Sequence, residues 1–101
     1  MDITTDGATV VLSGPFDVRS TMEVRTALYD RLAEHDAVVV DLTDVVTVDV
    51  TALRVLAAAS HYAVDHGRHV TLRGCNGAVR RLLHLTHLIR AVDVERELAA
   101  G

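Results

Sequence analysis

The sequence predicts a single α/β domain over residues 1–101, with a mixed β-sheet that begins in an N-terminal hairpin and grows by right-handed βαβ crossovers, its helices packed mainly on one face. Three observations predict it. Asp6-Gly7 lies between two short strand-like segments, residues 2–5 and 10–12, as a hairpin turn. Residues 37–40, Ala-Val-Val-Val, form an apolar run of the kind found in a central strand buried on both faces. Segments of helical period then alternate with short β-branched runs, giving the order β-β-α-β-α-β-α-β. A chain of 101 residues has room for one core and not for two domains of ordinary size.

Each element has its own signal. Ser13-Gly14-Pro15 ends the second strand. Ser20, with Glu23 three residues on, makes a capping-box pattern that opens a helix running to about His35, and Val24, Ala27, Leu28 and Leu32 form its apolar stripe. Residues 37–42 are the central strand and residues 43–49 a short polar connection. The second helix runs from about Thr51 to His66 and stops at Gly67, which suits a C-terminal cap. His69-Val-Thr-Leu-Arg73 alternates as a strand. Asn76 caps a third helix that ends near Leu85 or His87, with Val79, Leu82 and Leu83 turned inward. Ala91-Val-Asp-Val94 is a short last strand, and residues 95–101 are a polar tail or a fraying helix.

Composition excludes several functions. Aromatic residues are 3% of the chain, too few for a platform that stacks bases, sugars or flat ligands. A formal net charge of -4 opposes direct nucleic-acid binding, which depends on neutralising phosphates. The one cysteine, Cys75, has no partner for an internal disulfide. There is no signal-peptide pattern and no apolar run of membrane-spanning length, so the expected location is the cytoplasm, without membrane insertion. No glycine-rich phosphate loop, cysteine pair or nucleophile elbow is present, and the six histidines lack a metal-binding arrangement with a third ligand; catalytic residues, cofactor and metal are all read as none.

The junction at residues 48–53, Val48-Asp-Val-Thr-Ala-Leu53, carries the strongest functional signal. Thr51 falls in the first turn of the second helix, where unpaired backbone N–H groups and the helix dipole favour a phosphate. Asp49 has an ordinary role open to it as well, because short polar side chains at helix starts accept hydrogen bonds from those N–H groups. Two apolar stripes run along the same helix. Leu53, Leu56, Ala57, Ser60, Ala63 and Val64 form a core face. Ala52, Val55, Ala59 and Tyr62 form a second stripe beside Thr51, suited either to a neighbouring helix or to a docking partner, with Val55, Ala59 and Tyr62 as its contact residues.

Four segments together resemble the STAS domain, and among STAS domains the bacterial anti-sigma factor antagonists. They are Gly14-Pro-Phe-Asp17, similar to Gly-x-Leu/Phe-Asp; Val39-Val-Asp-Leu-Thr43 at the end of the central strand; Val48-Asp-Val-Thr-Ala-Leu53, similar to Asp-Ser-Ser-Gly-Leu; and the Arg- and Leu-rich stretch 74–88. The resemblance is strongest over residues 10–94. It implies a STAS-like fold, a non-enzymatic regulatory role, and Thr51 as phosphoacceptor, with Asp17, Asp49, Val50 and Ala52 forming the phosphosite environment or recognising the partner. Val50 stands where the family's first Ser lies, and Ala52 where its Gly lies.

The implied partners are an anti-sigma factor with serine/threonine kinase activity, which would bring the ATP and metal, and a protein phosphatase. Phosphorylation would control binding to the anti-sigma factor and so release of a sigma factor. The alternatives are a non-phosphorylated STAS scaffold or transporter-associated module, in which Thr51 is only a cap, and a small-ligand sensor with a pocket near Asp17, Asp49 and the sheet edge.

Overall fold

In a computed structural model describing residues 1–95, the chain runs β1 (Asp2–Asp6), β2 (Thr9–Phe16), α1 (Thr21–Glu34), β3 (Ala37–Val48), α2 (Val50–Asp65), β4 (His69–Arg73), α3 (Gly77–Leu85), a 3-10 turn (Leu88–Ala91) and β5 (Asp93–Val94). The strands form one sheet in the order β1-β2-β3-β4-β5. β1 and β2 are antiparallel, and every later pair is parallel. The predicted mixed α/β fold is therefore the observed one. Of the tail expected at residues 95–101, all but Glu95 lies outside the described residues. Among the described residues, no helix is long and apolar enough to cross a membrane.

Strand periodicity decides which face of the sheet is covered. Val10 and Leu12 of β2, Val38, Val40 and Leu42 of β3, and Val70 and Leu72 of β4 point into the core. They pack with Val24, Leu28 and Leu32 of α1, Leu53 and Leu56 of α2, and Val79 and Leu83 of α3. Each of these larger side chains contributes roughly 1.5–3 kcal/mol by leaving water. The intervening residues lie on the opposite face, which carries the Asp41–Arg73 and His69–Asp93 pairs. The central strand is thus buried on one face only, contrary to the reading of residues 37–40: Ala37 is exposed and Val39 half-buried.

Three boundaries also differ from expectation. β2 does not stop at Ser13 but continues through Gly14, at φ 92°, and Pro15 to Phe16, with register irregularities between Val11 and Ser13 and between Gly14 and Pro15. Residues 43–48, expected as a polar connection, are the second half of β3, held to the extended β2 by pairs such as Ser13↔Asp44 and Phe16↔Val48. Tertiary pairing outweighs the polar character of Thr43, Asp44 and Thr47. At the other end of the chain, Ala91 belongs to the 3-10 turn, so the last strand shrinks to two residues.

β4 pairs with β3 only as far as Asp41↔Arg73. Gly74 then turns the chain away at φ 72°, a left-handed conformation that side chains disfavour. A Cβ there would lie 2.9 Å from the Thr43 amide nitrogen and closer still to its hydroxyl. Gly74→Ala should therefore combine backbone strain with a clash against β3, costing about 2–5 kcal/mol in urea denaturation. A loss below about 1 kcal/mol would show that this close approach is not a constraint on the fold.

Candidate functional site

The β2–α1 and β3–α2 connections lie side by side because β2 and β3 are parallel and end in register at Phe16↔Val48. Asp17 and Asp49, the next residues of the two strands, are thereby brought to one end of the sheet, where the Asp49 amide donates to the Phe16 carbonyl at 3.3 Å. This is the carboxyl end of parallel strands, where loops rather than the sheet shape the surface.

Asp49 is the N-cap of α2, in extended conformation at φ −114° and ψ 172°. Its Oδ1 accepts from the Ala52 amide at 2.8 Å, and its Oδ2 accepts from the Val18 amide at 3.1 Å, in the neighbouring connection. One carboxylate therefore caps the helix and fastens the two loops together.

Asp17 works within its own loop. It accepts from the Arg19 amide at 2.9 Å, an Asx turn, and from the Arg19 guanidinium at 3.1 Å. The Arg19 side-chain hydrogen bond, reinforced by the amide, holds the Asp17 carboxyl below the usual carboxylate range.

Ser20 does not form the expected capping box. Its backbone is already helix-like, at φ −102° and ψ −2°, and its hydroxyl turns back to donate to the Asp17 carbonyl at 3.1 Å while accepting from the Asp17 amide at 3.2 Å. A local turn has taken the hydroxyl that the helix would have used.

Thr51, the second residue of α2, is exposed. It lines a groove of about 340 Å³ between α1 and α2 with Arg25, Tyr29, Arg54, Val55 and Ala58. Arg25 lies over the Tyr29 ring, 5.5 Å from its centre, in a cation–π arrangement. Val50 is half-buried beside Thr51.

The second stripe of α2 faces α1, so its assignment to partner docking is corrected in part. Ala52 and Ala59 are completely buried and out of any partner's reach. Their small side chains let the two helices approach, and Tyr62 meets Tyr29 edge to face at 4.8 Å while stacking on His66 at 4.0 Å. Only Val55, half-buried in the groove, and Tyr62, 39% exposed, remain accessible. Val64, assigned to the core face, is instead 65% exposed.

The remaining candidates separate. The groove beside Asp17 is formed with Met1, Pro15, Arg19, Ser20 and Glu23 and does not include Asp49. No group of three or more His, Cys, Asp or Glu side chains that could hold a metal occurs among the described residues. Cys75 is buried, which pushes its thiol pKa up, away from the reactive thiolate.

Sequence reasoning missed Arg25 and Arg54 as members of the site. Arg54, three residues after Thr51 on one helix, was within reach of a spacing argument. Arg25 comes from α1, and nothing local announces it. Also missed is an open groove of about 580 Å³ on the free side of the β3 extension, lined by Val46, Thr47, Val48, Ala78, Arg81 and Leu85 among others.

Comparison with known proteins agrees with this architecture. The model of the STAS_2 family, described as "Mlab, STAS domain", matches residues 1–93. No curated protein sequence matches. Among solved structures, an anti-sigma factor antagonist from Mycobacterium paratuberculosis superimposes with a TM-score of 0.75 at 20-odd per cent identity (23%), covering 95% of this chain and 84% of that one. The Bacillus cell fate determinant SpoIIAA in its phosphorylated form gives a TM-score of 0.68 at 12% identity, covering 95% and 91%. A sulfate transporter family protein from Wolinella succinogenes gives 0.67 at 18% identity, covering 85% and 73%. At these identities the likenesses show a shared fold.

The hydrogen bonds separate the two aspartates by role. Asp49→Ala removes a helix cap and an inter-loop tie and should cost about 1–3 kcal/mol in urea denaturation. Asp17→Asn, which keeps an acceptor for the Arg19 amide, should shift the melting temperature far less. Equal losses would contradict the view that Asp49 alone joins the two connections.

Proposed function

The chain belongs to the STAS_2 family of STAS domains, and we propose that it acts in the cytoplasm as a phosphorylation-controlled anti-sigma factor antagonist. The observation that carries this reading is the exposed Thr51 hydroxyl in the first turn of α2, on the rim of a groove. The chain is a substrate and a ligand in this scheme, not an enzyme.

Unmodified, it binds an anti-sigma factor that has serine/threonine kinase activity, and the sigma factor is released. That partner transfers the γ-phosphoryl group of ATP to Thr51 Oγ1: the new P–O bond forms, the bond to ADP breaks, and the hydroxyl proton passes to a base of the kinase. A protein phosphatase hydrolyses the ester and restores the binding form. Val55 and the accessible edge of Tyr62 supply apolar contact, while Val50 and the Asp17–Arg19 loop border the surface. A phosphate adds roughly -1.5 to -2 charges there, and its desolvation and repulsion oppose docking.

A second reading has its own support in the likeness to the sulfate transporter family protein and in the apolar groove at Val46, Val48 and Leu85. In it, the domain is a constant component of a transport assembly and Thr51 is unmodified.

Incubation with a candidate anti-sigma kinase and ATP separates the two. Intact mass and peptide mapping should place one phosphate on Thr51, and Thr51→Ala should not be labelled; phosphate elsewhere, or undiminished labelling of Thr51→Ala, rejects the assignment.

Docking is tested separately by calorimetry with the same partner. Val55→Glu should weaken binding by tenfold or more, consistent with the roughly 1.5–3 kcal/mol associated with burying such a side chain, and Thr51→Glu should weaken it by charge. Unchanged affinity in a folded Val55→Glu protein would move the docking surface away from the α1–α2 groove.

A further inference from the structure

Among the described residues, the arginines divide into those with a side-chain partner and those without. Arg19, Arg31, Arg68 and Arg73 are paired with carboxylates, and the Arg80 side chain donates to the Cys75 carbonyl. Arg25, Arg54, Arg81 and Arg90 have no ion pair among the described residues, and of these four Arg25 and Arg54 line the groove that Thr51 borders. They come from different helices, Arg25 from α1 and Arg54 from α2. Among the described residues, no acidic side chain lines this groove. Of the carboxylates nearest along the chain, Glu23 and Asp30 line a different groove, and Asp49 has both oxygens occupied by backbone N–H groups. The groove is therefore a small positive site on a chain whose formal net charge is -4.

We propose that Arg25 and Arg54 form a clamp for a phosphate carried by Thr51 of the same chain. The inference rests on the reading of Thr51 as a phosphoacceptor and adds how the modified state is held. Arg54 lies three residues after Thr51, a spacing that places side chains on one helix face. Arg25 reaches from the opposite wall, exchanging its cation–π contact with Tyr29 for a charge-assisted hydrogen bond to a phosphate oxygen. The guanidinium fork suits this contact, since it presents parallel donors to a phosphate. The start of α2 adds its dipole.

Phosphorylation then acts on binding in two ways at once. It adds negative charge to the docking surface, and it withdraws two cations from it. The partner surface that faces this groove in the unmodified complex is accordingly acidic.

The test introduces phosphothreonine at position 51 during translation of the full chain, through a suppressor transfer RNA, so that no kinase is needed. The second ionisation of the phosphate is followed by phosphorus NMR as a function of pH. In the otherwise wild-type chain it should lie about 0.5–1 pH unit below its value in the Arg25→Gln/Arg54→Gln double variant, because adjacent cations favour the dianion. Arg54→Gln alone, an exposed substitution on α2, should give part of the shift and serves if the double variant does not fold. Arg90→Gln, on the 3-10 turn, should leave the titration unchanged.

Equal titration in the wild-type, single-variant and double-variant backgrounds overturns the clamp, and so does an equal shift from Arg90→Gln. Neither result touches the kinase reading, which is decided by the labelling of Thr51. A kinase that ignores Thr51 would in turn leave the titration result standing.

Discussion

The Asp49 carboxylate is the interaction on which the functional end of this molecule depends. α2 begins at once after β3, with a single residue between them. That residue must satisfy unpaired amides at the start of a helix while adjacent loops are held in place. Asp49 does both, one oxygen on Ala52 and the other on Val18. Without the second contact, the β2–α1 loop would be joined to the start of α2 mainly through strand pairing at Phe16 and Val48. With it, the position of Thr51 is coupled to the loop that carries Asp17 and Arg19.

A second constraint follows from the side chains that are absent. Ala52 and Ala59 are fully buried where α2 meets α1, and larger residues at either place would separate the helices. Close approach brings Tyr29 against Tyr62 and Arg25 to the same groove as Arg54. The alanine in place of the family's glycine at position 52 is thus compatible with the junction, since it occupies a helical position and donates its amide to Asp49. Fold and candidate site share one cause: parallel strands end together at Phe16↔Val48, and the helices that follow them pack side by side.

Much of this was legible because it is local. The Asp6-Gly7 turn, the periodic stripe of α1, the Gly67 stop and the Asn76 cap all depend on residues within a few positions of one another, and the Asn76 side chain does accept from Val79 at 3.0 Å. What was not legible depends on distance in sequence. Residues 43–48 read as a connection because their partners, residues 13–16, lie about thirty positions away. The Ser20 pattern had the right spacing, yet the Asp17 turn competed for the same hydroxyl. The second stripe of α2 was visible as apolar, but periodicity cannot say whether an apolar face meets another helix or a partner. For the same reason Arg54 was within reach of sequence reasoning and Arg25 was not.

Hydrogen exchange at two amides tests the coupling most directly. In the wild-type chain the Val18 and Ala52 amides should both be protected, each by one oxygen of Asp49. In Asp49→Ala both should lose protection together, while amides in the middle of β3 and α2 keep theirs. Loss at Ala52 alone, with Val18 unchanged, would contradict the account: Asp49 would then be only a helix cap, and the two connections would hold their places without it.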